Sequence, residues 1–232
     1  MTASVTFTGT FVTRDGSSTR EATVTQAVVG GWTGRDRHAL QHHIDELARI
    51  GVKPPVRTPL FYRVSVTRLN WQDEIQVIGD GSSGEVEYVM LRLDGRIWVG
   101  VGSDHTDRAI EHAGITVAKQ VCDKPIGATF WPMDEVSPHW DRLTLRSWIT
   151  ENGARVLYQD GSVGGLLSPD ELLAAYAAEG KELAEGMLMF GGTCGAIGGV
   201  RHAPTFEVEL ADPVLGRSIR HAYRLTPLEI LG

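Results

Sequence analysis

The chain has 232 residues, room for one large domain or two small ones, and its 22 Lys and Arg against 29 Asp and Glu leave a formal charge of −7. Basic residues nowhere cluster beyond a pair, which argues against a nucleic-acid binder held by phosphate contacts. The longest uncharged stretch, residues 186–200, contains six glycines and is too short to span a bilayer as a helix; the first residues lack a secretory leader, so the expected location is the cytoplasm. Two cysteines, Cys122 and Cys194, form no C-x-x-C pair and read as free thiols. With 27 glycines, about 12% against a usual ~7%, many tight turns are expected.

In chain order, residues 5–12 and 22–29 are Thr- and Val-rich and flank a turn cluster at Arg14-Asp15-Gly16-Ser17, predicting a strand pair. Apolar positions at helical spacing predict an amphipathic helix over 36–49. Strands follow at 60–66, 75–78, 85–93 and 97–102, then a short helix over 109–118 and ordered loops through Pro125, Pro132 and Pro138. Residues 143–150 and 155–158 alternate around Asn152-Gly153, a pair suited to the positive φ angles of a type I′ turn. Ser168-Pro169-Asp170-Glu171 supplies an N-cap, a proline at the first helical position and a capping-box glutamate for a helix over 169–184. Residues 206–210 and 217–225 alternate as a closing strand pair. Many strands, few helices and no βαβ rhythm indicate a β-rich α+β fold in a single domain, residues 1–232, with the strands of 1–34 packed on it.

The strongest chemical signal lies between Gly84 and Arg108. Glu85 and Glu87 are two apart in a strand and point to one face. If Asp94-Gly95 is a two-residue turn, opposed residues sum to 189, which sets Glu85 against Asp104 and Glu87 against Gly102, with space expected beside the glycine. Three converging carboxylates repel unless a cation joins them or their pKa values rise. Hard oxygens without a thiolate suit Mg²⁺, Mn²⁺ or Ca²⁺. The bland alternative is a solvated acidic face, because E-x-E alone is a weak motif. His38, His42 and Glu46, at i, i+4 and i+8, could form a separate metal face, but without a further ligand a solvated helix face explains them better.

These segments resemble the fumarylacetoacetate hydrolase superfamily. His43-Ile-Asp-Glu46, followed by Pro55, Pro59 and Phe61, is similar to its lid signature; Glu85-x-Glu87 to its metal strand; and Asp104 with Arg108 to its N-D-x-x-x-R segment. Lys119 with Asp123, Pro125 and Gly127 resembles its K-S-x-D, proline, glycine run, Gln159-Asp-Gly161 its Q-x-G segment, and residues 186–198, centred on Gly192-Thr193, its glycine-rich loop. Arg63 stands where that family usually has Lys, Cys194 where it has Pro and Ala196 where it has Gly, the marks of a divergent branch.

The resemblance implies rolled mixed β-sheets with a few short helices and a homodimer. Glu85, Glu87 and Asp104 would hold a divalent cation, Mg²⁺ or Mn²⁺ before Ca²⁺. His43 oriented by Glu46 would activate water, and Lys119 would place positive charge beside a developing enolate. Thr193, Gly192, Gln159 and Arg63 would bind a small carboxylate substrate, with Arg108 supporting the metal ligands. The expected activity is metal-dependent hydrolysis of a carbon–carbon bond in an acylpyruvate-like 2-oxo acid. A decarboxylase or hydratase using the same chelate is the alternative, and a non-catalytic binding protein the third. No nucleophile elbow, P-loop or dinucleotide fingerprint is present, so neither a serine hydrolase nor nucleotide binding has motif support.

Overall fold

The computed structural model describes residues 3–49 and 53–231, apart from the side chains of His43, Glu46 and Leu47. Two large curled, mixed sheets, two two-stranded ones (Ser82–Ser83 with Thr106–Asp107, and Leu69–Asn70 with Lys124–Pro125) and a few short helices make up the described residues, as the β-rich reading anticipated. The larger sheet is built from β1 (Val5–Thr13), β2 (Gly16–Val24), β3 (Gln26–Gly31) and β4 (Leu60–Val64). The smaller sheet's first strand in the chain is β5 (Glu74–Ile78). The hairpin β6 (Val86–Leu93) and β7 (Arg96–Ser103), then β8 (Thr129–Pro132), return to the larger sheet. After β9 (Thr144–Glu151) and β10 (Ala154–Ser162) of the smaller sheet, β11 (Met187–Phe190) completes the larger one, and β12 (Thr205–Asp212) and β13 (Arg217–Leu228) complete the smaller. The spatial orders are β2-β1-β8-β7-β6-β11-β3-β4 and β10-β9-β12-β13-β5.

The β6–β7 hairpin lies in the middle of the larger sheet and is buried on both faces. Tyr88, Met90, Val99 and Val101 pack toward Leu145, Val208, Leu210 and Ile219 of the smaller sheet. Val89 and Leu91 turn the other way, into a core with Phe7, Phe11, Phe130 and Phe190. Burial on both sides explains why this hairpin reads as nearly continuous apolar sequence rather than as clean alternation. On the Val89 face the apolar run stops at Glu87, where the strand emerges from the core toward a cavity.

Several boundaries differ from the sequence reading. The expected strand at 22–29 is two strands. Ala22 pairs with Phe7 in β1, whereas Ala27 pairs with Val64 in β4, and the break falls at Thr25, whose N–H and hydroxyl both reach Gly186 O. The helix expected over 109–118 divides at Gly114, which adopts φ +144, into a 3₁₀ turn (Glu111–Ala113) and α2 (Ile115–Val121); α1 is Arg37–Arg49. The capping box at Ser168 and Glu171 forms, but α3 (Pro169–Ala177) ends well before 184, because the chain turns at Gly180, φ +72. The stretch expected as loops around Pro125, Pro132 and Pro138 contains β8, inserted between β1 and β7, and helical turns over 133–142. No helix among the described residues is long and apolar enough to cross a membrane.

Candidate metal centre

Both residues of the Asp94-Gly95 turn have positive φ, 53° and 73°, the geometry a type I′ turn requires. From it the register runs Leu93 opposite Arg96, Glu87 opposite Gly102 and Val86 opposite Ser103. Beyond the last pair Asp104 N still donates to Glu85 O at 3.0 Å. The turn and the two-residue strand period therefore aim Glu85, Glu87 and Asp104 at one point, and one carboxylate oxygen from each lies within 4.8 Å of the others. Glu87 and Asp104 are buried and Glu85 is half-buried at the edge of a cavity of about 1010 Å³.

The space expected beside Gly102 does not exist. A Cβ there would lie 2.8 Å from the Phe190 ring and 3.0 Å from Pro125 O, so the glycine admits the core, and the room for a ligand lies beyond Glu87 instead. Gly192 is the glycine the site does require. Its φ is +111, a Cβ would fall 1.9 Å from Thr33 Oγ1, and its N–H donates to Glu87 Oε2 at 2.8 Å.

Three cations face the three carboxylates. Lys119 of α2 is bonded to Asp104 Oδ2 and lies 3.7 Å from Glu85 Oε2. Lys124, fully buried, is 3.2 Å from Asp104 Oδ1 and donates to the carbonyls of Lys119, Cys122 and His105. Arg108 reaches Glu85 Oε1 at 2.9 Å, Glu111 Oε1 at 2.9 Å and Ser83 Oγ at 2.8 Å. Burial, reinforced by Asp104, raises the Glu87 carboxyl well above its ordinary value. Burial pushes Asp104 the same way, but Lys119 and Lys124 outweigh it and hold that carboxyl low. The Lys119 ammonium is desolvated, yet the surrounding carboxylates raise its pKa. Lys124 moves down, because burial there exceeds the pull of Asp104.

The donor set fits a hard divalent cation. It offers three carboxylates with no thiolate, and buried Asp104 Oδ1 has Lys124 as its ionic neighbour without accepting a well-formed hydrogen bond. Among the described residues this is the one such acidic cluster; the alternative face involving Glu46 falls partly outside them.

The remaining expectations divide. Arg63 is exposed and its guanidinium donates to Gln26 Oε1 at 2.7 Å; on β4 it lies one residue from Tyr62, which faces the cavity, so the strand period turns Arg63 outward and it does not line the site. Gln159 does line the cavity but is saturated. Its Oε1 accepts from Val86 N and Ser147 Oγ, and its Nε2 donates to Thr193 Oγ1 and Cys194 O. Thr193 in turn donates to Val86 O at 2.7 Å. Gln159, Thr193 and Gly192 therefore tie the glycine-rich loop to the strand carrying Glu87, with the Gln159 amide, the Thr193 hydroxyl proton and the Gly192 N–H engaged inside the protein. His43 and Glu46, expected from the sequence resemblance to activate water, fall on α1, with side chains outside the described residues.

Sequence reasoning passed over Lys124, because a lysine followed by proline carries no sign of burial. It also missed a buried chain in which His105 bonds Ser82 Oγ at 2.9 Å and the Tyr223 hydroxyl at 3.1 Å, and that hydroxyl donates to Ser103. Burial, with Lys124 and Arg108 nearby, puts the His105 pKa well below its ordinary value, so the ring is neutral at pH 7.

Residues 30–223 match the family model described as "Protein of unknown function (DUF2848)". The chain belongs to the DUF2848 family. No curated protein matches this DUF2848 chain. Its fold, however, is that of fumarylacetoacetate hydrolase family proteins, as the sequence resemblance implied. A putative member from Yersinia pestis superposes with a TM-score of 0.65 at 19% identity, covering 95% of this chain and 100% of that one. A putative fumarylacetoacetate isomerase/hydrolase from Oleispira antarctica gives 0.64 at 18%, covering 93% and 99%. The fumarylpyruvate hydrolase from Pseudomonas aeruginosa in complex with Mn²⁺ and pyruvate gives 0.62 at 17%, covering 95% and 97%.

Proposed function

We propose that the chain is a divalent-metal-dependent enzyme of 2-oxo acid metabolism, a hydrolase that cleaves a carbon–carbon bond in an acylpyruvate-like substrate. The observation that carries this reading is the convergence of Glu85 and Glu87, at the wall of a large cavity, with Asp104 buried behind them, flanked by Lys119 and Arg108. A similarly folded protein in complex with Mn²⁺ and pyruvate supports it. A divalent ion, Mg²⁺ or Mn²⁺ before Ca²⁺, would supply Lewis acidity to the 2-oxo and carboxylate oxygens. The chain's own residues do the rest. Lys119 keeps a fixed positive charge where negative charge grows as the bond breaks, and Arg108 holds Glu85 in place. His43, oriented by Glu46, takes a proton from water. The hydroxyl joins the acyl carbon, the bond to the neighbouring methylene breaks, and that carbon receives a proton, giving a carboxylic acid and pyruvate.

A lyase, a 2-oxo acid decarboxylase or enol-acid hydratase, is the second reading, favoured by one observation: the acidic cluster with Lys119 beside it is what stabilising an enolate requires, whichever bond is broken. A screen of the full chain against acylpyruvates and oxaloacetate, with Mg²⁺ or Mn²⁺ and with EDTA, separates the two. Hydrolysis that EDTA abolishes and His43→Ala removes while metal is retained is the expected result. Release of CO₂ from oxaloacetate with acylpyruvates intact would move the assignment to the lyase, and EDTA-insensitive turnover would defeat both. A cytoplasmic homodimer belongs to the same reading, and light scattering tests the dimer.

A further inference from the structure

We propose that the substrate has one anionic end and an uncharged, largely apolar remainder, seated against Trp32, Leu40, Tyr62, Ile115 and Leu166. This rests on the 2-oxo acid reading and adds the chemistry of the substrate's far end.

The apolar wall starts directly beside the carboxylates. Lys119 Nζ lies 5.8 Å from the centre of the Tyr62 ring, and the Tyr62 hydroxyl accepts from Trp32 Nε1 at 3.0 Å. On the other side Gly192, bonded to Glu87, abuts Thr33; the next residue, Gly34, bridges to Leu166, and a Cβ on it would touch Leu40 at 3.8 Å. A substrate whose carboxylate and keto oxygens sit at the acidic cluster therefore continues between aromatic and aliphatic side chains.

Among the described residues, a second carboxylate would find no Lys or Arg along that wall that is not already paired, and His202 Nδ1 is engaged with Ser82 O at 3.2 Å. Among the described residues, the Lys and Arg side chains lining the cavity are Arg108, Lys119 and Arg201. Arg108 is held by Glu85 and Glu111, and Lys119 by Asp104 and Glu85. Arg201 is held by Glu151 and by the carbonyls of Ile197 and Gly199, with its guanidinium over the Tyr158 ring. Glu111, itself a lining residue, adds negative charge. An anionic tail would lose its hydration without compensation, a penalty that a neutral tail escapes.

The test is a set of acylpyruvates of matched length, ending in phenyl or alkyl groups or in a carboxylate, assayed with the full chain and Mn²⁺. Binding is followed in parallel by calorimetry. Neutral tails should be favoured by about 100-fold in kcat/KM. Leu40→Lys, a change at a half-exposed helix position, should narrow that ratio by roughly tenfold by giving an anionic tail its missing partner. Equal or better turnover of the carboxylate-ended compounds would overturn the inference while leaving the 2-oxo acid reading intact. Binding in the expected order without turnover would keep the inference and remove the catalytic assignment. Absence of both binding and turnover across the set would remove both.

Discussion

Lys119 should stabilise the protein without metal and oppose a metal's arrival. Its ammonium neutralises Asp104 and Glu85, so Lys119→Met leaves buried carboxylates with fewer partners. Because Lys124 still faces Asp104, the loss should fall near the lower end for a broken buried pair, about 3 kcal/mol in denaturant unfolding without metal. The same change removes a positive charge from beside the ligands, so Mn²⁺ should bind roughly tenfold tighter by calorimetry while turnover falls. Weaker metal binding in the variant would mean that Lys119 positions the ligands rather than competing with the ion.

The β6–β7 turn shows how an element carries the site. A Cβ on Gly95 meets nothing within 4 Å, so Gly95→Ala isolates the cost of φ +73, about 1 kcal/mol of stability in chemical denaturation. Metal affinity should hold if the register survives. The turn between β12 and β13 makes a pH-dependent contribution. Burial pushes the Asp212 carboxyl up, but a bond from His139 Nε2 at 2.9 Å, the N–H groups of Val214 and Leu215, and Arg217 outweigh it and hold the carboxyl low. A carboxyl with a folded pKa below its unfolded value of about 3.9 stabilises the fold above that value, and the contribution is lost as pH falls through the folded pKa. Asp212→Asn should therefore cost roughly 1.5–3 kcal/mol at pH 7, and the difference from wild type should shrink below about pH 4 in urea titrations.

What was legible in the sequence follows the range of the interactions involved. The Asp94-Gly95 and Asn152-Gly153 turns and the Ser168 cap are set by neighbouring residues, and all form. The convergence of Glu85, Glu87 and Asp104 needed only a turn and a period of two. Arg63, Gln159 and Lys124 escaped the same reasoning. Whether Arg63 faces out, whether the Gln159 amide is already saturated, and whether Lys124 is buried all depend on residues far along the chain, and no local pattern encodes them.

At the scale of the whole molecule, the acidic cluster is where the larger sheet, α2 and the loop after β11 meet, and Gln159 ties the smaller sheet to that loop. An ion held there binds the folded chain and not the unfolded one, so it stabilises everything those elements connect. At a hundred times its dissociation constant the gain is about 2.7 kcal/mol, which for a chain of this length raises Tm by about 5–11 °C. Thermal unfolding with Mg²⁺ or Mn²⁺ against an EDTA baseline should show that rise. Glu87→Gln should abolish it, since the amide oxygen can still accept from Gly192 N–H but no longer offers a charged ligand. An equal shift in the variant would place the ion elsewhere. The charge balance adds a sharper expectation. Lys119, Lys124 and Arg108 already face the three carboxylates, so a dication brings positive charge that an anionic 2-oxo acid offsets. Mn²⁺ and pyruvate together should then raise Tm by more than the sum of their separate effects, whereas simple additivity would mean that the anion binds away from the ion.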